Sequence, residues 1–329
     1  MEKGLYLPEG TRLVTEKNQR IISDPAELEK CVETGEILEA RAVLCDASRN
    51  LIVDLNGISG IIPRSETAAG IESGVTREIA VIARVGKPVC FNVVSVKREN
   101  DRPVVTLSRR RAQEAAAAYI LDNARRGDVL NARVTHLEPF GAFVDIGCGF
   151  NSLIGIENIS VSRISHPADR FYPGMDIFAA VSSIDMTFRR VSLSHRELLG
   201  TWEENAALFS SGETVTGIVR GTEEYGSFVE LTPNLSGLAE RREGLRRGDG
   251  VSVFIKSILP ERMKIKLLVI DRLSLPPHSR LRYFISEGHI DRWIYSPASC
   301  KKKLIETDFR QKQKNRLSGF FAEKGGRIL

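Results

Sequence analysis

Short runs in which apolar and polar residues alternate dominate this chain, and they recur. Gly35-Glu36-Ile37-Leu38-Glu39-Ala40-Arg41-Ala42, Gly127-Asp128-Val129-Leu130-Asn131-Ala132-Arg133-Val134 and Gly212-Glu213-Thr214-Val215-Thr216-Gly217-Ile218-Val219 each place a glycine before an alternating run. That is the period of a half-buried strand. The three glycines are 92 and 85 residues apart. The interval is too long for a solenoid repeat and suits small domains in tandem. Later parts repeat as well. Gly60-Ile61-Ile62-Pro63, Ser152-Leu153-Ile154-Gly155 and Ser236-Gly237-Leu238-Ala239 occupy equivalent places. Each copy closes on a strand: Val104 to Ser108, Arg190 to Ser194 and Lys264 to Leu267.

Five strands per copy, joined by glycine-rich turns, predict an all-β chain of three tandem OB-fold barrels over residues 35–108, 127–195 and 212–270. The lead-in, residues 1–34, contains a short helix through Ala26 to Lys30, capped by Ser23 or Asp24. Residues 109–126 and 196–211 are helical linkers. The first, Arg109 to Leu121, is rich in strong helix formers. Its triple arginine reads as a solvated helix start in preference to an RNA contact. The second linker helix runs from His195 to Phe209 and turns Trp202 toward the core. In the extension, 271–329, Leu281 to Ser286 and Ile290 to Tyr295 are expected to pair as a hairpin packed on the third barrel. A basic stretch, Arg310 to Arg316, suits phosphate contact.

Two copies carry a further signature on the second strand. Phe140-Gly141-Ala142-Phe143-Val144-Asp145 and Tyr225-Gly226-Ser227-Phe228-Val229-Glu230 both begin 13 residues after their opening glycine. Residues three apart on a strand face opposite ways, and a glycine between them permits a bulge or bend that brings both rings to one face. Two readings stand: a platform on which unpaired bases stack, or barrel core. The first copy reads Arg49-Asn50-Leu51-Ile52-Val53-Asp54 at this place and has no ring pair.

The Phe140 to Asp145 segment and the closing strands resemble the S1 RNA-binding domain family, strongly in the second copy, well in the third and partially in the first. Over residues 35–270 the chain is similar to short, multi-repeat ribosomal S1 homologues of Gram-positive anaerobes. The resemblance implies that Phe140 and Phe143 stack bases, with Asp185 and Arg190 beside them, and that Tyr225, Phe228 and Lys264 form a second, weaker face. It departs from the family where Gly155 and Glu240 replace a histidine and Pro260 replaces an aspartate. The first barrel is then a docking or spacer domain.

Net charge changes the picture of the partner. Residues 271–329 hold 13 Lys and Arg against 6 Asp and Glu, which is +7. The first 270 hold 34 against 36, which is −2. The barrels are therefore no broad trap for duplex DNA, which favours stacking on single strands. The five cysteines are scattered without a C-x-x-C pair, so reduced cytoplasmic thiols are expected, with no disulfide scaffold or zinc site. No apolar run approaches a membrane span, and no secretion signal is visible. No P-loop, H-E-x-x-H or complete dinucleotide motif occurs. The chain is expected to be no enzyme and to need no cofactor, metal or small-molecule substrate. The leading expectation is a single-stranded mRNA-binding protein acting on or near the small ribosomal subunit. The alternatives are a protein–protein adaptor, or an accessory factor of an RNA-decay or transcription complex.

Overall fold

The computed structural model describes residues 4–99, 102–275, 281–301 and 303–310. Barrel one comprises β1 (Ile37–Cys45), β2 (Leu51–Leu55), β3 (Ile58–Ile62), β4 (Pro88–Glu99) and β5 (Arg102–Ser108). Barrel two comprises β6 (Val129–Glu138), β7 (Gly141–Asp145), β8 (Asn151–Gly155), β9 (Asp176–Asp185) and β10 (Arg190–Ser194). Barrel three comprises β11 (Thr214–Glu223), β12 (Gly226–Thr232), β13 (Leu235–Ala239), β14 (Gly250–Leu259) and β15 (Lys264–Arg272). All three sheets close, and in each the third strand meets the fifth in parallel. Closure removes free sheet edges. The expected all-β architecture of three tandem five-stranded barrels is what the chain adopts.

The first strand of each barrel pairs with both the second and the fourth, so it must curl. Its register breaks at Val43, Thr135 and Arg220, the bulge that such a bend requires. Alternation then sends Ala40, Ala132 and Val219 inward, each buried in its own barrel core.

The lead-in forms two helices, α1 (Glu16–Ile22) and α2 (Pro25–Thr34), where the sequence suggested one. Asp24 caps α2 through the Ala26 N–H at 2.9 Å, Pro25 opens it, and Gly35 closes it at φ +64°. Ile21, Ile22, Leu28 and Cys31 join the core of barrel one. Another short helix, α3 (Glu78–Ile82), lies in the connection between β3 and β4.

Between barrels one and two runs α4 (Arg109–Asn123), capped by Ser108. Its first arginine is not solvated. Arg109 is 3% exposed and grips Glu9 through Nε at 2.7 Å and Nη2 at 2.9 Å. The second linker is not one helix. A 3-10 turn over Arg196–Leu199 ends at Gly200, and α5 (Trp202–Ala206) restarts with a Thr201–Glu204 capping box. Trp202 is buried in the core of barrel three, as expected.

The C-terminal extension contains a two-stranded antiparallel element with a partner different from the expected one. β16 (Arg292–Ile294) pairs with β17 (Glu306–Asp308), and residues 281–286 form an irregular strap. The strap's Phe284 N–H donates to the Leu198 carbonyl at 2.9 Å, and its side chains pack on the second barrel and the linker. The Tyr283 ring packs edge-on against Phe178 and His195, and Phe284 covers Gly200. Trp293, Tyr295 and Phe309 pack into barrel three, so the expected packing on that barrel holds. The basic stretch beyond Arg310 lies outside the described residues.

His195 joins barrel two to this strap. Its Nδ1–H donates to the Ile159 carbonyl at 2.8 Å, and its Nε2 accepts from the Tyr283 hydroxyl at 2.9 Å. Burial, with the Arg170 charge nearby, pushes His195 down to about 4 against the hydrogen bond to Ile159. The folded value lies below the unfolded one, near 6.5. The neutral ring's contribution is thus complete above about pH 6.5 and is lost as pH falls toward 4. Moving from about pH 7.5 to about pH 5 is expected to cost about 2 kcal/mol at this junction. Urea unfolding at the two pH values checks it. His195→Asn, which keeps a donor for Ile159 but does not titrate, should lose that part of the pH dependence.

Candidate nucleic-acid interface

In barrel two the chain turns at Phe140 and enters β7 at Gly141. The expected bulge is not between the rings. Phe140 lies in the hairpin turn, and the bulge lies on β6, opposite the Phe143–Val144 step. That turn releases Phe140 from strand alternation, so its ring reaches Phe143. The centroids are 6.0 Å apart with the planes at 88°. Phe140 is 56% exposed and Phe143 half-buried. Gly141 is required by a close approach: a Cβ there would collide with the Ile154 carbonyl oxygen of β8.

Barrel three repeats the arrangement. Tyr225 and Phe228 lie 6.1 Å apart at 88°, and they are 68% and 37% exposed. Gly226 sits at φ +150°, where a Cβ would strike the Ala239 carbonyl oxygen. Neither pair is barrel core. A perpendicular pair cannot sandwich one base, but each ring offers a face or an edge to a separate base.

Cross-strand register extends each pair into a row. Phe143 stands opposite His136 on β6 and Leu153 on β8, and Leu153 is level with Ser192 on β10. The His136 ring lies 6.5 Å from Phe143 at 28°, nearly parallel, and was not singled out from the sequence. Phe228 stands opposite Gly221 and Leu238, and Leu238 is level with Lys266. The exposed Lys266 is therefore in the ring row itself, and the expected Lys264 lies one pleat away on the same face. The alternation Lys264-Ile265-Lys266-Leu267 carried the signal.

Asp185 and Arg190 face each other across the β9–β10 hairpin. Asp185 accepts the Phe188 N–H at 3.0 Å, so it is also the turn residue that its type suggests. Arg190 lies 5.9 Å from the centroid of Phe188, an aromatic 69% exposed in the turn, where Met186 is exposed as well. Alternation on β10 sets Arg190 one pleat from Ser192 in the Phe143 row.

Barrel one has a different face. Its row is Leu44, Ile52, Ile61 and Thr106. Arg49 pairs with Glu78 at 3.4 Å beside the Arg64–Glu78 pair. In barrel three Glu240 pairs with Lys256 at 2.7 Å, and Pro260 opens a 3-10 turn. No group of His, Cys, Asp and Glu among the described residues is arranged to hold a metal ion.

The acid that follows each ring pair is buried. Asp145 and Glu230 are both 2% exposed. Asp145 accepts the N–H groups of Glu9 at 2.7 Å, Gly147 at 2.8 Å and Gly149 at 2.9 Å. Burial and the neighbouring Glu9 charge push it up to about 7. Burial also works against Glu9, but Arg109 and Arg84 hold that carboxylate below its ordinary value. The lead-in thus carries a buried acid that its mixed, polar sequence did not reveal.

Residues 123–196 match the S1 RNA binding domain family. The chain is 30% identical over 248 residues to small ribosomal subunit protein bS1 of Leuconostoc lactis, covering 71% of this chain and 56% of that protein. It is 32% identical over 250 residues to the bS1 homolog of Bacillus subtilis, covering 74% and 62%. With bS1 of Staphylococcus aureus it shares 28% identity over 284 residues, covering 82% and 68%. The chain spans between a half and two thirds of the length of the first two relatives. The chain thus carries a match to the S1 RNA binding domain family at residues 123–196 and is similar, over most of its length, to small ribosomal subunit protein bS1 of several bacteria.

Proposed function

We propose that this chain binds single-stranded RNA in translation, holding unpaired mRNA at the small ribosomal subunit in the cytoplasm, and that it is a binding protein and no enzyme. The observation that carries this reading is the repeated ring pair, exposed in both barrels with centroids 6.0 and 6.1 Å apart and planes at 88°. Phe140, Phe143, Tyr225 and Phe228 stack bases, and Arg190, Lys264 and Lys266 contact phosphate or stack. Asp185 shapes the edge of the barrel-two site. The names of the relatives support the setting in translation. Barrel one, whose equivalent row is aliphatic, serves protein contact.

Fluorescence anisotropy with labelled oligo-U RNA and a matched duplex, at two salt concentrations, tests the reading. Micromolar or tighter binding to the single strand, weak duplex binding and a clear salt slope are expected. Absence of single-strand binding would leave the adaptor reading. Ribosome cosedimentation tests the location. Lys266→Ala is expected to weaken binding about threefold and to lower the salt slope by about 0.7, the share of one phosphate contact on a single strand.

A further inference from the structure

Asp145 and Glu230 occupy the same place in barrels two and three, two residues after the second ring and on the same outward face of the strand. Each also meets a partner from an upstream part of the chain, beside the partners within its own barrel. Asp145 holds the backbone of Glu9, whose side chain in turn accepts the Cys90 N–H of barrel one at 3.2 Å. Glu230 meets Arg170 Nη2 at 2.5 Å and Arg220 Nε at 2.8 Å. Arg220 also reaches Asp169 at 3.0 Å. Asp169 and Arg170 belong to the connection between β8 and β9 of barrel two. That connection makes further contacts with barrel three: Val161 N–H to Asn234 Oδ1 at 2.9 Å, Ser162 N–H to the Pro233 carbonyl at 3.2 Å, Ser162 Oγ to Ser236 Oγ at 2.8 Å, and Asp169 to Arg247 at 3.7 Å. In barrel one the equivalent Asp54 is exposed and accepts the N–H of Gly57 in its own turn.

We propose that the acid after each ring pair is a positioning residue that pins the preceding module beside the ring face. Through Glu230 and Arg170 it sets the spacing of the two ring pairs, which then act as one composite site for a single RNA strand long enough to cross both. This rests on the reading of the ring pairs as the RNA platform. The physical ground is that separating an ion pair buried at a junction would strand a buried charge, so the pair ties its two partners to one geometry. Two platforms held at one spacing raise the effective concentration of the second once the first is occupied. They also avoid the cost of ordering a loose linker.

The test uses the full chain and two labelled oligo-U RNAs, one of about 6 nucleotides that fits a single barrel and one of about 24 that spans two. Arg170→Gln is the informative variant because it leaves Glu230 paired with Arg220 inside barrel three. Its affinity for the short RNA should stay within about twofold of wild type, and its affinity for the long RNA should fall about tenfold. Arg170→Lys should recover part of that loss. If Arg170→Gln unfolds barrel two, Ser162→Ala/Ser236→Ala removes only the hydroxyl pair across the same junction and should show the same split, about threefold. Unchanged long-RNA affinity in a folded variant, or equal loss on both RNAs, overturns the proposal. Wild-type protein that binds neither RNA overturns the platform reading itself.

Discussion

Replacing Phe140, Phe143, Tyr225 and Phe228 together by alanine is expected to weaken binding to single-stranded RNA at least a hundredfold, and replacing either pair alone at least tenfold. Base–aromatic stacking contributes roughly 1–3 kcal/mol per base, and each ring pair offers two surfaces. The fold should survive, because Phe140 and Tyr225 are more than half exposed and Phe228 is 37% exposed, so little buried area is lost. The dependence on salt should keep its slope, since stacking releases no counterions. Lys266→Ala has the opposite signature, a small loss of affinity with a shallower slope. Anisotropy titrations at several salt concentrations, with circular dichroism as a check on folding, separate the two. Unchanged affinity in a folded four-ring variant would remove these rings from the site.

Arg109→Ala is expected to cost about 3–5 kcal/mol of stability, the range for a buried ion pair that loses one partner. Glu9 and Arg109 are 5% and 3% exposed, so the remaining carboxylate cannot be rehydrated without opening the junction. Around it stand Arg84 Nη1 at 3.0 Å and the Cys90 N–H, while Asp145 holds the Glu9 backbone. The loss should therefore appear in unfolding of the part that joins barrels one and two. Glu9→Met/Arg109→Met should cost less than the sum of its single changes, because neither of the two is left buried without the other. A denaturant series on the two single variants and the double variant measures this. A change under 1 kcal/mol in Arg109→Ala would contradict the burial of the pair.

The repeat was legible because each barrel is built largely by local rules: alternation along its strands and glycines at recurrent turns. The ring pairs were legible for a related reason. They sit at a hairpin turn where local sequence dictates geometry, although the turn itself, and no bulge between the rings, brings them together. Residues outside these rules were missed. His136 carries no motif, and only the bulge at Thr135 sets it opposite Phe143. Lys266 differs from Lys264 only in its level against Leu238, a matter of inter-strand register. The strap of residues 281–286 has the composition of a strand, but Tyr283 and Phe284 find packing partners in Phe178, His195 and Gly200.

Alternation, turn chemistry and the spacing of the repeats, all short-range properties, therefore carried the architecture, the three barrels and the place of the two platforms. Tertiary packing alone decided the fate of the charges. Glu9, Arg109, Asp145, Arg170 and Glu230 look like surface residues in sequence, and each is buried because a distant part of the chain supplies its counter-charge or hydrogen bond. A charge can leave water only where a partner is held in place, and the position of that partner is a property of the folded chain.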